Sequence, residues 1–280
     1  MSSAAVHTGR PFADAHVLDD LGEGRFRAHL DDVWAVGPKA FGGLLMVLMA
    51  KAGLARLAAD GAVTADGATL DPLAVSVDFL RAPDLRPVEL VAEPLKIGRT
   101  VSSVTVRLTQ DGKLMLHATV TAGVLPDGDA RWETPAELAP EPTPDAVDPA
   151  AANGGARGLA AACELRYPAG SPPFLRGETG PPQVAGWVRP RGEEPDVLFA
   201  LLSGDILPPT VFNLGGTPGW APTVQLTALL RGRPAPGWLR VDGRSRAVVG
   251  TQFDEDVTVV DATGRTVCQA RQLALAPLAG

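Results

Sequence analysis

Histidine, cysteine and aromatic residues are all scarce in this sequence: four His, two Cys, and only 5% Phe, Trp and Tyr among 280 residues. The four histidines, His7, His16, His29 and His117, fall in no HxxH, HExxH or mixed Cys/His spacing, so no metal-ligand set is visible and none is expected. Cys163 and Cys268 are too few to frame a disulfide scaffold and read as reduced, buried small side chains. Basic excess is also missing. A net charge of -7 with a pI near 5.1 removes the electrostatic footprint that nucleic-acid binding requires, although local arginines can still meet an acidic ligand. The longest apolar run, FGGLLMVLMAKAGLARLAA, is interrupted by Lys51 and Arg56, and the first ten residues lack the basic-then-apolar order of a signal peptide. The expectation is a cytoplasmic protein without a membrane span. A G-x-S-x-G elbow, a P-loop and a strand-borne G-x-G-x-x-G are absent too, which sets aside the commonest hydrolase, kinase and dinucleotide signatures, and no cofactor is expected.

What is present is enough apolar sequence for real cores, 45% of residues, arranged twice. A Pro-, Ala- and acid-rich stretch at 126–158 has no apolar period and reads as a linker between an N-terminal half, 1–125, and a C-terminal half, 159–280. The halves resemble each other. Residues 100–123 and 252–277 are both alternating strands joined by an Asp/Gly turn, and superposing Gly112 on Gly264 matches Leu116 to Cys268, Ala118 to Ala270 and Ala122 to Ala274. Upstream, Phe79-Leu80-Arg81 matches Leu229-Leu230-Arg231, and an apolar helical run precedes each strand set, at 41–59 and roughly 196–205. Each half therefore reads as a helix wrapped by an antiparallel meander, an α+β arrangement, and two such sheets can join edge to edge. Gly42-Gly43 at the start of the first helix permits a close backbone approach.

Differences between the copies point to a site. By a period of two, Leu73, Val75, Val77 and Phe79 of the first copy align with Thr223, Gln225, Thr227 and Leu229 of the second. In the last strand Gln272 stands where the first copy has Val120, and Asp205 ends the second helix in LLSGDILPPT. An acid at a buried helix end needs partners, so Asp205 facing a Thr strand and a Gln strand points to a shared water.

At these residues, FGGLLMVLMAKA, SVDFLRAP, TQDGK, LLSGDILPPT, GWAPTVQLTALLR and GRTVCQARQLAL, the sequence resembles the acyl-CoA thioesterase II (TesB-like) family of double hotdog proteins. The resemblance runs over about 15–125 and 160–277 and implies two tandem hotdog units, each a sheet around a helix. It implies an Asp, Thr, Gln catalytic triplet, here Asp205, Thr223 and Gln272, with Thr227 as the alternative threonine on the same expected strand face. Acyl-CoA is then the substrate, and Gly43, Arg99, Trp220, Gln225 and Thr227 are the residues expected to contact it, Arg99 at the CoA diphosphate. A homodimer or higher homo-oligomer is expected, since a double hotdog already contains a pseudo-dimer. Two alternatives stay open: a catalytically silent acyl-CoA binder, and a MaoC-like enoyl-CoA hydratase, whose motif SGDxNPxH resembles SGDILPPT but would place its His at Thr210.

Overall fold

Alternating strand patterns and one apolar helix per half set the architecture, although only the first half has the long helix expected of each: 18 residues there against 7 in the second. The computed structural model describes residues 9–128, 130–152, 158–216 and 218–277; His7 and the linker residues 129 and 153–157 lie outside them. The first half contains β1 (Asp19–Gly22), β2 (Arg25–Ala28), α1 (Gly42–Ala59), β3 (Asp71–Phe79), β4 (Val88–Lys96), β5 (Val101–Gln110) and β6 (Lys113–Gly123). The second contains β7 (Cys163–Arg166), β8 (Gln183–Pro190), α2 (Val197–Ser203), β9 (Thr223–Leu230), β10 (Leu239–Arg244), β11 (Gln252–Val260) and β12 (Thr266–Leu275). These form one antiparallel sheet in the order β1-β2-β4-β5-β6-β3-β9-β12-β11-β10-β8-β7, with the short strand Val248–Val249 against β11. The order of the second half mirrors that of the first about the β3–β9 seam. That seam closes two edges that would otherwise expose unpaired N–H and C=O groups.

The sheet wraps the helices, giving the expected double hotdog. α1 is apolar on nearly every side and buried along most of its length, with Leu44, Met46, Val47, Leu48, Met49 and Leu57 all inaccessible to solvent. Its length and composition would suffice to cross a bilayer, but here the sheet and α2 cover it. Lys51, which interrupts the run, is half-buried and donates to the His16 carbonyl and ring Nδ1, both at 2.8 Å. Burial, and then the nearby Lys51 charge, lowers His16 to about 4, so its ring is the neutral acceptor. Asp196 N-caps α2 by accepting from the Phe199 N–H at 2.7 Å, and its charge favours protonated Lys51. Both cysteines are free and buried.

The Pro-, Ala- and acid-rich stretch at 126–158 bonds to the second half. Trp187 Nε1 donates to the Ala139 carbonyl at 2.8 Å, Arg240 to that of Leu138 at 3.1 Å, and the Thr266 N–H to Glu133 at 2.8 Å.

The strand register differs from the sequence reading in β3 and β9, and with it the match between them: Phe79 stands opposite Leu116 as Leu230, not Leu229, stands opposite Cys268. The hairpin alignment holds: Leu116, Ala118, Val120 and Ala122 are buried on the inner face, as are Cys268, Ala270, Gln272 and Ala274. Along β9, however, the register shifts between Thr223 and Gln225: Thr223 pairs with Ala274, but Gln225 with Leu273. The same shift occurs in β3 between Pro72 and Ala74. Each is a bulge, and the extra residue turns over every side chain on one side of it. Leu226 and Ala228 therefore point into the core, opposite Gln272 and Ala270, just as Val75 and Val77 stand opposite Val120 and Ala118. Thr223 corresponds to Pro72 rather than to Leu73. Gln225 and Thr227 lie on the outer face, where both bond to Ser76 across the seam at 3.0 and 2.9 Å.

Candidate active site

α1 begins without a side-chain cap, because its N-cap residue is Phe41. The first N–H groups of a helix have no partner within it and carry the positive end of its dipole, so an acceptor must come from elsewhere. It comes from the other half. The two central helices run antiparallel, and the chain leaving α2 presents Asp205, whose carboxylate accepts from the Gly43 N–H. Two glycines make that approach possible. A Cβ on residue 42 would fall 2.7 Å from Asp205 Oδ2, and one on residue 43 would fall 2.9 Å from the Leu202 carbonyl and 2.7 Å from the Phe41 ring.

Asp205 is half-buried, and it lines a mostly apolar cavity of about 470 Å³. Its pKa is pushed up to about 7, first by burial and then by the charge of Glu255, against the opposing pull of the Gly43 N–H. Near neutral pH this carboxyl can both take and return a proton.

Thr223 and Gln272 line the same cavity. The bulge turns Thr223 inward, and its hydroxyl donates to Gln272 Oε1 at 2.6 Å. Behind them stands Glu255 on β11, 2% exposed, accepting from Gln272 Nε2 at 3.2 Å and from the Thr210 N–H at 2.9 Å. Burial raises its pKa, while those donors favour its charged form. Sequence reasoning missed Glu255, although a signal existed. In QFDEDVTVV the inward positions are Phe253, Glu255, Val257 and Val259, so an acid occupies a core position of an otherwise apolar face.

Not all the expected contacts gather here. Trp220 lines the cavity and is half exposed. Gly43 acts through its N–H on Asp205, and its neighbour Gly42 reaches the cavity wall. Gln225 and Thr227 face the opposite side of the sheet, which removes Thr227 as the alternative to Thr223. Arg99 is exposed in the β4–β5 turn, beside the end of the sheet where Val101 and Asp71 both pair with Gly123. The cavity lies at the other end of β3, at Phe79 and Arg81, so the cation on its wall is Arg81. Thr210 is fully buried, bonded to Glu255 and to Ser245 Oγ at 2.6 Å, and no histidine among the described residues lines the cavity.

Residues 30–123 match the acyl-CoA thioesterase N-terminal domain and residues 135–276 match the acyl-CoA thioesterase C-terminal domain. An uncharacterized protein of Mycobacterium tuberculosis is 41% identical over 273 residues, covering 90% of this chain and 91% of that protein. Among solved structures, a protein of Thermobifida fusca provisionally called a thioesterase II superposes with a TM-score of 0.83 at 31% identity, covering 96% of this chain and 98% of the other. The TesB protein of Mycobacterium avium subspecies paratuberculosis shares the fold, with a TM-score of 0.72 at 23% identity over 95% of this chain and 98% of its own.

Proposed function

From the premise that this chain belongs to the acyl-CoA thioesterase family, with both family domains in tandem, we propose that it hydrolyses the thioester of fatty or related acyl-CoA to the free acid and CoA. The observation that carries this reading is Asp205 at the N-terminus of α1, raised to about 7 and lining one apolar cavity with the bonded pair Thr223 and Gln272. A thioester carbonyl is already electrophilic, so the catalyst has to position water, remove its proton and stabilise the oxyanion. Asp205 takes the proton as the water oxygen bonds to the carbonyl carbon. When the tetrahedral intermediate collapses, the C–S bond breaks and that proton passes to the leaving sulfur. Thr223 and Gln272 orient the water. The first turn of α1, whose Gly42 lines the cavity, offers N–H donors for the oxyanion, and its dipole favours negative charge there.

The apolar wall accommodates the acyl chain, with Phe79, Phe212 and Trp220 among its large side chains, and exposed Arg81 is placed to meet a CoA phosphate. Hydration of an enoyl-CoA is less well supported, because the position that would need a histidine is Thr210, which is fully buried off the cavity wall with its hydroxyl paired to Ser245 Oγ. The test is thiol release from short to long acyl-CoAs by wild type beside D205N. Release by wild type only, with the variant still binding acyl-CoA, is the expected outcome. Binding without release by wild type would leave a silent acyl-CoA binder.

A further inference from the structure

The proposed chemistry uses Asp205, Thr223 and Gln272 and leaves Glu255 unexplained, although a buried carboxylate is among the costliest groups a core can hold. Glu255 is 2% exposed, and both its oxygens are engaged by donors: Oε1 by Gln272 Nε2 at 3.2 Å, Oε2 by the Thr210 N–H at 2.9 Å. An ionised carboxylate only accepts, whereas an amide has one face that donates and one that accepts. With its Nε2 committed to Glu255, Gln272 must turn Oε1 toward Thr223, and the Thr223 hydroxyl must spend its single proton on it. The Thr223 oxygen is then left with lone pairs only, which makes it an acceptor for a water proton.

We propose that Glu255 is a positioning residue of the hydrolytic site, whose carboxylate fixes the orientation of the Gln272 amide and through it presents Thr223 to the attacking water. This rests on the thioesterase reading and extends it to a residue outside the cavity wall. Two groups set the electrostatics around Asp205, Glu255 from β11 and the N-terminus of α1 through the Gly43 N–H, while Arg81 is the charged side chain elsewhere on the cavity wall. Gln272 on β12 is neutral. Glu255 therefore has a second effect that a packing residue would not have: its charge opposes ionisation of Asp205.

The informative variant is E255Q, nearly the same in shape. With the Thr210 N–H holding its Oε1, the new amide turns an NH2 group toward Gln272 and inverts the amide there, so that Thr223 must accept rather than donate. kcat for acyl-CoA hydrolysis is expected to fall about 100-fold, the loss that accompanies a small misplacement of reacting groups, with KM within about twofold. The rise of kcat/KM with pH is also expected to move below its wild-type midpoint, because removing a neighbouring negative charge favours ionised Asp205. E255D retains the charge but withdraws it by one methylene, so kcat should fall while the midpoint stays. Wild-type kcat with an unmoved midpoint in E255Q overturns the proposal. If E255Q does not fold, E255D decides in the same way, and wild-type kcat there overturns the proposal. Thiol release by wild type is measured alongside. Its absence overturns the thioesterase reading itself, whereas its presence with an unaffected E255Q overturns only the role of Glu255.

Discussion

Replacing Asp205 by Asn should abolish turnover and, at the same time, stabilise the fold. In the folded protein the carboxyl is raised from an ordinary 3.8 to about 7, so between those values the folded state binds a proton that the unfolded chain does not. Wild-type stability contributed by this group is therefore lost as pH rises from about 4 to about 7 and stays lost above that. At 1.36 kcal/mol per pH unit, the roughly three units correspond to about 4 kcal/mol at pH 8, and to about 1.5 kcal/mol at pH 5. Asn can still accept from the Gly43 N–H and does not titrate. The gain of D205N over wild type should thus grow by about 2 to 3 kcal/mol between pH 5 and pH 8. Urea unfolding of both proteins at the two pH values, at one protein concentration, measures it. A variant no more stable than wild type at pH 8, or a gap that does not change with pH, would refute a raised pKa for Asp205 in the folded protein.

Thr223→Val removes the hydroxyl bonded to Gln272 and should lower kcat by about 100-fold, whereas Thr227→Val, on the outer face of the same strand, should leave kcat unchanged and cost about 1 kcal/mol of stability from its seam hydrogen bonds. Equal activity loss in both variants would contradict the bulge in β9. Gly53→Val tests the core independently: a Cβ at residue 53 would lie 2.8 Å from Val104 Cγ1, so the variant should lose about 1 to 3 kcal/mol in thermal or urea unfolding, and an unchanged midpoint would count against the close packing of α1 on β5.

Most of the architecture was legible because it depends on patterns that a sequence carries locally. The Asp/Gly turns set the hairpin register, and the matched faces of β6 and β12 followed from it, including the exchange of Val120 for Gln272. The register of β9 was not legible. A bulge adds one residue without changing composition, and a period of two carried across it assigns Gln225 and Thr227 to the wrong face. Thr223 faces the cavity beside Gln272 for a reason the periodicity did not contain. Arg99 failed differently: local sequence shows that it ends a strand, but which end of that strand meets the cavity is decided by the order of the whole sheet. Glu255 was hidden between Asp254 and Asp256, where a run of acids looks like a solvated turn until alternation is counted.

The helix whose N-terminus receives Asp205 belongs to one repeat, and Asp205, Thr223 and Gln272 belong to the other. Two identical chains joined in this way would present two equivalent helix junctions. Covalent joining breaks that equivalence, because a change in one repeat no longer appears in the other. Here one junction of the helices keeps an acid against a helix N-terminus, while further along α1 Lys51 faces the Asp196 charge and a neutral His16. In a tandem chain the two junctions need not match, and these two differ in charge and in partners, an asymmetry that no symmetric pair of identical subunits can adopt.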